Sequence, residues 1–404
     1  MDIYLVGGAV RDSLMGMEPN DLDYVVVDSS VEEMVSLGFE LITASFPVFH
    51  HPLDKNEYAL ARTERKEGKG YTGFVTETKH VSLEQDLSRR DLTINSMARN
   101  IDGMLIDPHG GKEDIRTRTL RHTSDSFRDD PVRALRVARM YARLGHEWTI
   151  HADTMAMIKE MSRTGEFVDL TGERIWKEMV RALDEPYPEL FFETLVGLGI
   201  FPEIDAMVGV PQPPNHHPEG DVFVHTMLCL KRAVELNYST QVRFCALTHD
   251  FGKPYRYKLT GTFHGHERDG VSIITDFCTR LRIPKVYRRR ACMVSEFHTH
   301  GHIVKEMTPA KLYKLLLNIG ALGVDDESFN VFIQSCQVDS QGRGPTKKDV
   351  PYDQANYLTK AKDAINSMDT HGIVASAKGK GKVGSEIGEE LQIAYIATLR
   401  AINQ

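Results

Sequence analysis

Hydrophobic period changes once along this chain, at Pro108-His109-Gly110-Gly111, and that change sets the class of architecture. Upstream, Ile3–Val6, Tyr24–Val27, Glu57–Glu64 and Met104–Ile106 read as short buried strands set among helical patterns. Downstream, apolar residues recur with helical period to about residue 200. Asp130 followed by Pro131 supplies a helix N-cap with proline at the first helical position. Four prolines (211, 213, 214 and 218) cannot continue a helix and mark a linker. A His-rich helical segment follows to about residue 325, then a Lys- and Gly-rich turn at Lys378–Lys382 and a last amphipathic helix. The expected organisation is an α/β head with a small mixed sheet over 1–108 and a mainly helical region over 109–215. A second helical module is expected over 222–340 and a C-terminal helical region over 341–404.

Composition narrows the classes further. The chain of 404 residues has room for about two to four domains. Its 41% hydrophobic and 26% charged content is that of a globular chain. The longest uncharged apolar-rich run of the C-terminal half, Leu315–Val324, is ten residues, well short of the roughly 20 that a bilayer demands. Met1-Asp2 leads straight into a strand, so neither a membrane span nor a signal peptide is expected. The five cysteines are an odd number without a C-x-x-C pair, as for reduced thiols in the cytoplasm. A net charge of −8 disfavours nonspecific nucleic-acid binding. Eight arginines nevertheless fall between Arg116 and Arg143, making that stretch locally basic.

Gly7-Gly8 closes the first strand and opens a helix carrying Arg11 and Asp12, a place where backbone N–H groups meet phosphate oxygens. Asp21-Leu22-Asp23 then runs into Tyr24–Val27, so both carboxylates share a face. Two adjacent carboxylates repel unless a cation sits between them, and hard oxygen ligands suit Mg²⁺ held jointly with phosphates. Alone, the pair reads first as an Asx-rich turn entering a strand. A third acid, Glu64, on the face Tyr58-Leu60-Arg62-Glu64, gives three carboxylates for one sheet surface, as in a two-metal clamp for attack of a hydroxyl on an α-phosphate. Arg11, Arg89 and Arg90 are basic partners for a triphosphate.

Gly7-Gly8-Ala9-Val10-Arg11-Asp12, Asp21-x-Asp23, Arg62-Thr63-Glu64-Arg65-Lys66, Arg89-Arg90-Asp91-Leu92-Thr93-Ile94-Asn95 and Asp129-Asp130-Pro131-x-Arg133 occur in this order. Together they resemble the class II CCA-adding enzymes, the tRNA nucleotidyltransferases, in the bacterial form with an HD module. The resemblance spans residues 1 to 340 and implies a polymerase-β-like head, an all-α body, tRNA as partner and CTP and ATP as substrates. Arg133, Arg136, Arg139 and Arg143 share one helical face, opposite Ala134, Leu135, Val137, Ala138, Tyr141 and Ala142. Such a row repels itself without an anionic partner. Cytosine and adenine each offer an amino donor beside a ring acceptor, which a carboxylate and a guanidinium satisfy. Guanine and uracil would set acceptor against acceptor there, and unpaired buried polar groups give about 10⁴-fold rejection. The resemblance assigns this reading to Asp130 and Arg133, and nucleotide contacts to Gly8, Arg11, Arg90, Arg136 and Arg139. Position 129 is Asp where the family more often has Glu. Gly68, Gly70 and Gly73 resemble the family's flexible loop, a plain hairpin loop being the alternative.

His225, the His249-Asp250 doublet and Asp339 form the ligand set of the HD superfamily, which holds a divalent metal that lowers the pKa of bound water. His264-Gly265-His266-Glu267 and Glu296-Phe297-His298 add further ligands, and N/O ligation suits Ni²⁺, Mn²⁺ or Mg²⁺. Related bacterial enzymes use such a module as a phosphohydrolase on 2′,3′-cyclic and 2′-phosphates. Some carry Asp after Glu-Phe-His, where this chain has Thr299. The rival enzyme, a bacterial poly(A) polymerase, shares the head and the Asp/Arg pair but lacks the HD set. A catalytically dead RNA-binding protein requires lost carboxylates, and Asp21, Asp23 and Glu64 are present. Monomer and homodimer are both compatible with the sequence.

Overall fold

The computed structural model describes residues 1–43, 46–66, 74–323 and 326–402, with the backbone alone at 64–66, 74 and 75. It comprises two compact units, Met1–Ile200 and Phe201–Gln404. In the first, β1 (Asp2–Val6), β2 (Asp23–Val27), β3 (Glu40–Thr43), β4 (Val48–His50) and β5 (Glu57–Leu60) precede a separate hairpin, β6 (Thr63–Lys66) with β7 (Phe74–Glu77). With β8 (Ala98–Arg99) and β9 (Leu105–Ile106) the five form a mixed sheet ordered β3-β4-β5-β2-β1-β8-β9. β2 lies inside it, antiparallel to β1 and parallel to β5. Val25 and Val27 pack with Val6, Leu83 and Leu87 on one face, and Val26 packs with Met34, Phe49 and Leu60 on the other. Burial on both faces explains the unbroken valine run, each buried valine contributing about 1.5–3 kcal/mol.

Strand register positions the polar residues. Val6 pairs with Asp23 and Asp23 with Glu57, so the Gly7-Gly8 turn emerges beside both carboxylates. Gly7 has φ +69°, and a Cβ there would stand 3.0 Å from Arg90 Nη1, so the turn requires glycine. The single strand expected over Glu57–Glu64 is in fact two. The Arg62 N–H is taken by Asp86 Oδ1 at 3.2 Å and the Arg62 carbonyl by Arg89 Nε at 3.0 Å. These side chains satisfy the backbone in place of a ladder, and the chain leaves the sheet for the hairpin. Glu64 therefore lies on β6, not on the sheet that carries Asp23.

The arginine-bearing helix runs Val132–Leu144. It begins one residue after the expected proline start, with Asp130 Oδ1 accepting the Val132 N–H at 3.2 Å. Ala134, Leu135, Val137, Ala138 and Ala142 are buried, as the helical pattern requires. This face packs on Gly172–Asp184 and Pro188–Leu195.

Every regular element of the second unit is helical among the described residues. The expected linker at Pro211–Pro218 is instead a folded loop of that unit. Gln212 is 4% exposed, its N–H bonds the Gly220 carbonyl at 2.9 Å, and Pro211 bridges to Asp221. Proline stops a helix but does not force a chain into solvent. Helices Gly252–Thr260, His266–Arg280 and Lys285–His302 come close together at two glycines. A Cβ on Gly252 would lie 2.0 Å from the His266 carbonyl, and one on Gly270 2.3 Å from Ser295 Oγ. Among the described residues no helix is long and apolar enough to cross a membrane.

Candidate active sites

A cleft of ≈ 940 Å³ in the first unit is lined by Gly8, Arg11, Asp21, Asp23, Arg90, Asp130, Arg133, Arg136 and Arg139. Of the residues singled out in this half of the chain, the Glu64 side chain lies outside the described residues, and Gly68, Gly70 and Gly73 lie outside them altogether. The cleft wall carries ten Arg and Lys side chains against six carboxylates, an anion-attracting surface inside an acidic protein.

Asp23 is held above the usual carboxylate range by burial, then by neighbouring Glu57 and Asp21, with Arg90 opposing. Crowded carboxylates with a raised pKa are stabilised by a cation, and the all-oxygen donor set fits Mg²⁺. Arg11 is 4% exposed and reaches Asp12 Oδ1 at 2.8 Å and Asn95 Oδ1 at 2.5 Å. Burial lowers its pKa, and Asp12 opposes that shift.

Asp130 Oδ2 accepts from Arg174 Nη2 at 2.7 Å, and Arg133 Nη1 donates to the Ser126 carbonyl at 2.8 Å. The row that lacks interleaved acids in sequence finds them in space. Arg136 meets Asp91 at 2.6 Å, Arg139 meets Glu178 at 2.7 Å, and Arg143 meets Asp12 at 3.0 Å. Burial alone would raise the Asp91 pKa; Arg136 and the Asn95 amide draw it well below the usual range. Asp91 in turn raises Arg136.

In the second unit His225, His249, Asp250 and Asp339 converge, each at most 4% exposed. His225 Nε2 stands 3.2 Å from Asp339 Oδ1 and 4.0 Å from Asp250 Oδ2; His249 Nε2 stands 3.2 Å from Asp250 Oδ2 and 3.9 Å from Asp339 Oδ1. His266 and His298 approach the other Asp250 oxygen at 3.4 and 3.7 Å. Asp250 Oδ1 and His249 Nε2 are buried without a well-aligned hydrogen-bond partner, while Asp250 Oδ2 also faces the Lys253 ammonium at 2.7 Å. Buried polar atoms are ordinarily satisfied, so orphaned donor atoms converging from imidazole and carboxylate fit a divalent metal. Burial acts to raise the Asp250 pKa, but His249 and Lys253 hold it well below the ordinary value. Burial, then His249, pushes His298 down to about 3, so this imidazole is neutral.

Three protein families match the chain: "Poly A polymerase head domain" over residues 3–121, "Probable RNA and SrmB- binding site of polymerase A" over 148–207, and "HD domain" over 222–324. The multifunctional CCA protein of Teredinibacter turnerae is 45% identical over 100% of this chain and 98% of its own length. The chain belongs to the multifunctional CCA protein family. The family member of Haemophilus influenzae is 43% identical over 98% of both chains. A Bacillus stearothermophilus CCA-adding enzyme in complex with CTP shares the fold at 20% identity. Its TM-score is 0.63, covering 99% of this chain and 89% of that one.

Several polar partners of this multifunctional CCA protein carry no sequence signal. Arg174 reaches Asp130 from a remote helix, while Lys253, 2.7 Å from Asp250, and Glu219, whose Oε1 lies 2.7 Å from His225 Nδ1, are near in sequence but form no recognised motif with them. Thr299 donates to Glu267 Oε1 at 3.1 Å.

Proposed function

We propose that this multifunctional CCA protein adds C, C and A to tRNA 3′ ends from CTP and ATP without a nucleic-acid template. The carrying observation is that Asp21 and Asp23 line the same cleft as Asp130, Arg133 and the arginine row. Asp21 and Asp23 would hold Mg²⁺. When bound, Mg²⁺ neutralises the triphosphate and the developing charge of an in-line displacement. Arg11 and Arg90 bind the phosphates, and Arg136 and Arg139 contact the nucleotide. Asp130 accepts the exocyclic amino group of cytosine or adenine, while Arg133 donates to the ring nitrogen beside it. Arg174 and the Val132 N–H hold the carboxylate, and the Ser126 carbonyl holds one end of the guanidinium, so the reading edge is oriented before substrate arrives. We assign the head to 1–108 and the reading region to the rest of the first unit, 109–200, short of the expected 215 because the chain from Phe201 onward packs in the second unit.

In the module at 222–340 the family resemblance and the buried His225, His249, Asp250 and Asp339 support a phosphohydrolase acting on 2′,3′-cyclic and 2′-phosphates. The imidazole and carboxylate donors suit Ni²⁺ or Mn²⁺. When bound, the metal supplies an acidified water. Lys253 Nζ, 2.7 Å from Asp250 Oδ2 and 2.6 Å from Gln212 Oε1, balances the charge of that carboxylate.

One experiment tests the transfer reading. The protein is incubated with Mg²⁺, tRNA lacking its terminal trinucleotide and one labelled nucleotide at a time. Incorporation of CTP, followed by a single ATP, supports it. Long A tails indicate a poly(A) polymerase, and no incorporation indicates a non-catalytic RNA-binding protein.

A further inference from the structure

We infer that His302 and Tyr352 are positioning residues of the buried His/Asp cluster, fixing the orientation of Asp339 through a one-way chain of hydrogen bonds. This rests on the metal-site reading above and assigns part of the region after residue 340 to that site.

Asp339 uses its two oxygens differently. Oδ1 faces the cluster, 3.2 Å from His225 Nε2 and 3.9 Å from His249 Nε2, with Arg343 Nη2 at 3.3 Å. Oδ2 faces away and lies 2.6 Å from His302 Nε2. An ionised carboxylate only accepts, so His302 Nε2 carries the hydrogen. With that single hydrogen on the ring, Nδ1 is free to accept from the Tyr352 hydroxyl, whose Oη lies 3.2 Å away. The polarity runs from hydroxyl to imidazole to carboxylate without conflict. Asp339 is 4% and Tyr352 8% exposed, so water does not substitute readily for either partner.

Backbone contacts hold the relay in place. His302 ends the helix Lys285–His302, and its carbonyl accepts from Gln354 Nε2 at 3.1 Å. Tyr352 caps the helix Asp353–Asn366, so the first turn of one helix grips both the ring and the main chain of His302. Gln341, at the end of the helix that carries Asp339, donates to the Val350 carbonyl at 2.9 Å and ties down the intervening strap. A carboxylate with one oxygen held this way presents the other in a single direction, which is what outer partners of metal ligands do.

The test uses the full-length protein, Ni²⁺ alone as the probe and calorimetric titration for Kd, with melting temperature measured in chelator. His302→Ala is expected to weaken Ni²⁺ binding by about 10–100-fold. Tyr352→Phe, which removes one hydroxyl, is expected to weaken it less. His302→Gln, whose amide still donates to Asp339, is expected to recover part of the loss, with melting temperatures in chelator close to the parent. Asp250→Ala is the control for the site itself. If it binds Ni²⁺ as the parent does, the metal-site reading fails. If it loses binding while His302→Ala and Tyr352→Phe keep the parental Kd, the positioning role is overturned and the metal site stands. Should His302→Ala fail to fold, Tyr352→Phe and His302→Gln decide by the same criterion.

Discussion

Replacing Arg174 by alanine is expected to damage nucleotide choice more than rate. Asp130 has two anchors, Arg174 Nη2 on Oδ2 at 2.7 Å and the Val132 N–H on Oδ1 at 3.2 Å. The Arg174 and Asp130 side chains are 23% and 18% exposed. Opposite charges about 4 Å apart in such surroundings attract by about 4 kcal/mol before desolvation and side-chain entropy are subtracted. A charge-assisted hydrogen bond retains about 1.5–3 kcal/mol of that, and partial exposure brings the figure to about 1–2 kcal/mol. Without Arg174 the carboxylate stays tethered through Oδ1 but turns more freely, so a uracil carbonyl meets less repulsion. The expected loss in the kcat/KM ratio of CTP over UTP is about 5- to 30-fold, with CTP addition itself less affected. Single-nucleotide extension of tRNA lacking its terminal trinucleotide measures both, and Arg174→Lys should recover part of the ratio by keeping the charge. A CTP/UTP ratio within twofold of the parent, in a variant that melts normally, refutes the anchoring role.

Asp21→Ala should abolish nucleotide addition and leave hydrolysis of 2′,3′-cyclic phosphates intact, with Asp250→Ala doing the reverse; loss of both activities in either variant contradicts two separate sites. Asp91→Asn should destabilise the protein by about 1.5–3 kcal/mol at pH 7, the low range because the Arg136 side chain is 43% exposed and rehydrates. The folded Asp91 pKa lies below its unfolded value of about 4, so its contribution is complete above that pH and fades as pH falls below it. Denaturant titrations at pH 7 and pH 3 should show the gap shrinking, and a constant gap would exclude Asp91 as the source. Gly252→Ala places a methyl 2.0 Å from the His266 carbonyl, a backbone atom that cannot rotate away. Overpacking costs of about 1–3 kcal/mol are typical, so a lowered melting temperature with weakened Ni²⁺ binding is expected, and parental behaviour in both measurements would show that the helices can separate without cost.

How much was legible in the sequence depended on whether the signal was local. The valine strand, the glycine turn and the arginine helix each carry their own period or spacing. Asp21 and Asp23 sit two residues apart and line one cleft with Asp130 and Arg133. The extension of the Glu57 strand to Glu64 follows from the i, i+2 face Tyr58-Leu60-Arg62-Glu64, in which no Gly or Pro marks an end. What ends the strand is a buried Asp86 that captures the Arg62 N–H, a partner 24 residues away. The arginine row looked self-repelling for a similar reason. Its acids, Asp12, Asp91 and Glu178, lie outside the helix, on three other parts of the chain.

The second unit shows the same limit in another form. A His, a His-Asp doublet and a distant Asp are recognisable because ligand chemistry restricts the residue types. The groups that orient them are restricted only by reach, so glutamate, lysine, histidine and tyrosine all serve, and no spacing announces them. The proline-rich stretch illustrates the cost. Proline content reports that a helix cannot pass, yet Gln212 within that stretch and Glu219 directly after it contact Lys253 at 2.6 Å and His225 at 2.7 Å. A backbone that cannot form a helix is held in a fixed irregular path, and such a path can deliver buried carboxylate and amide groups to a cluster whose ligands sit on rigid helices. Punctuation residues beside a ligand motif therefore deserve to be read as candidate walls of the site as well as boundaries between domains.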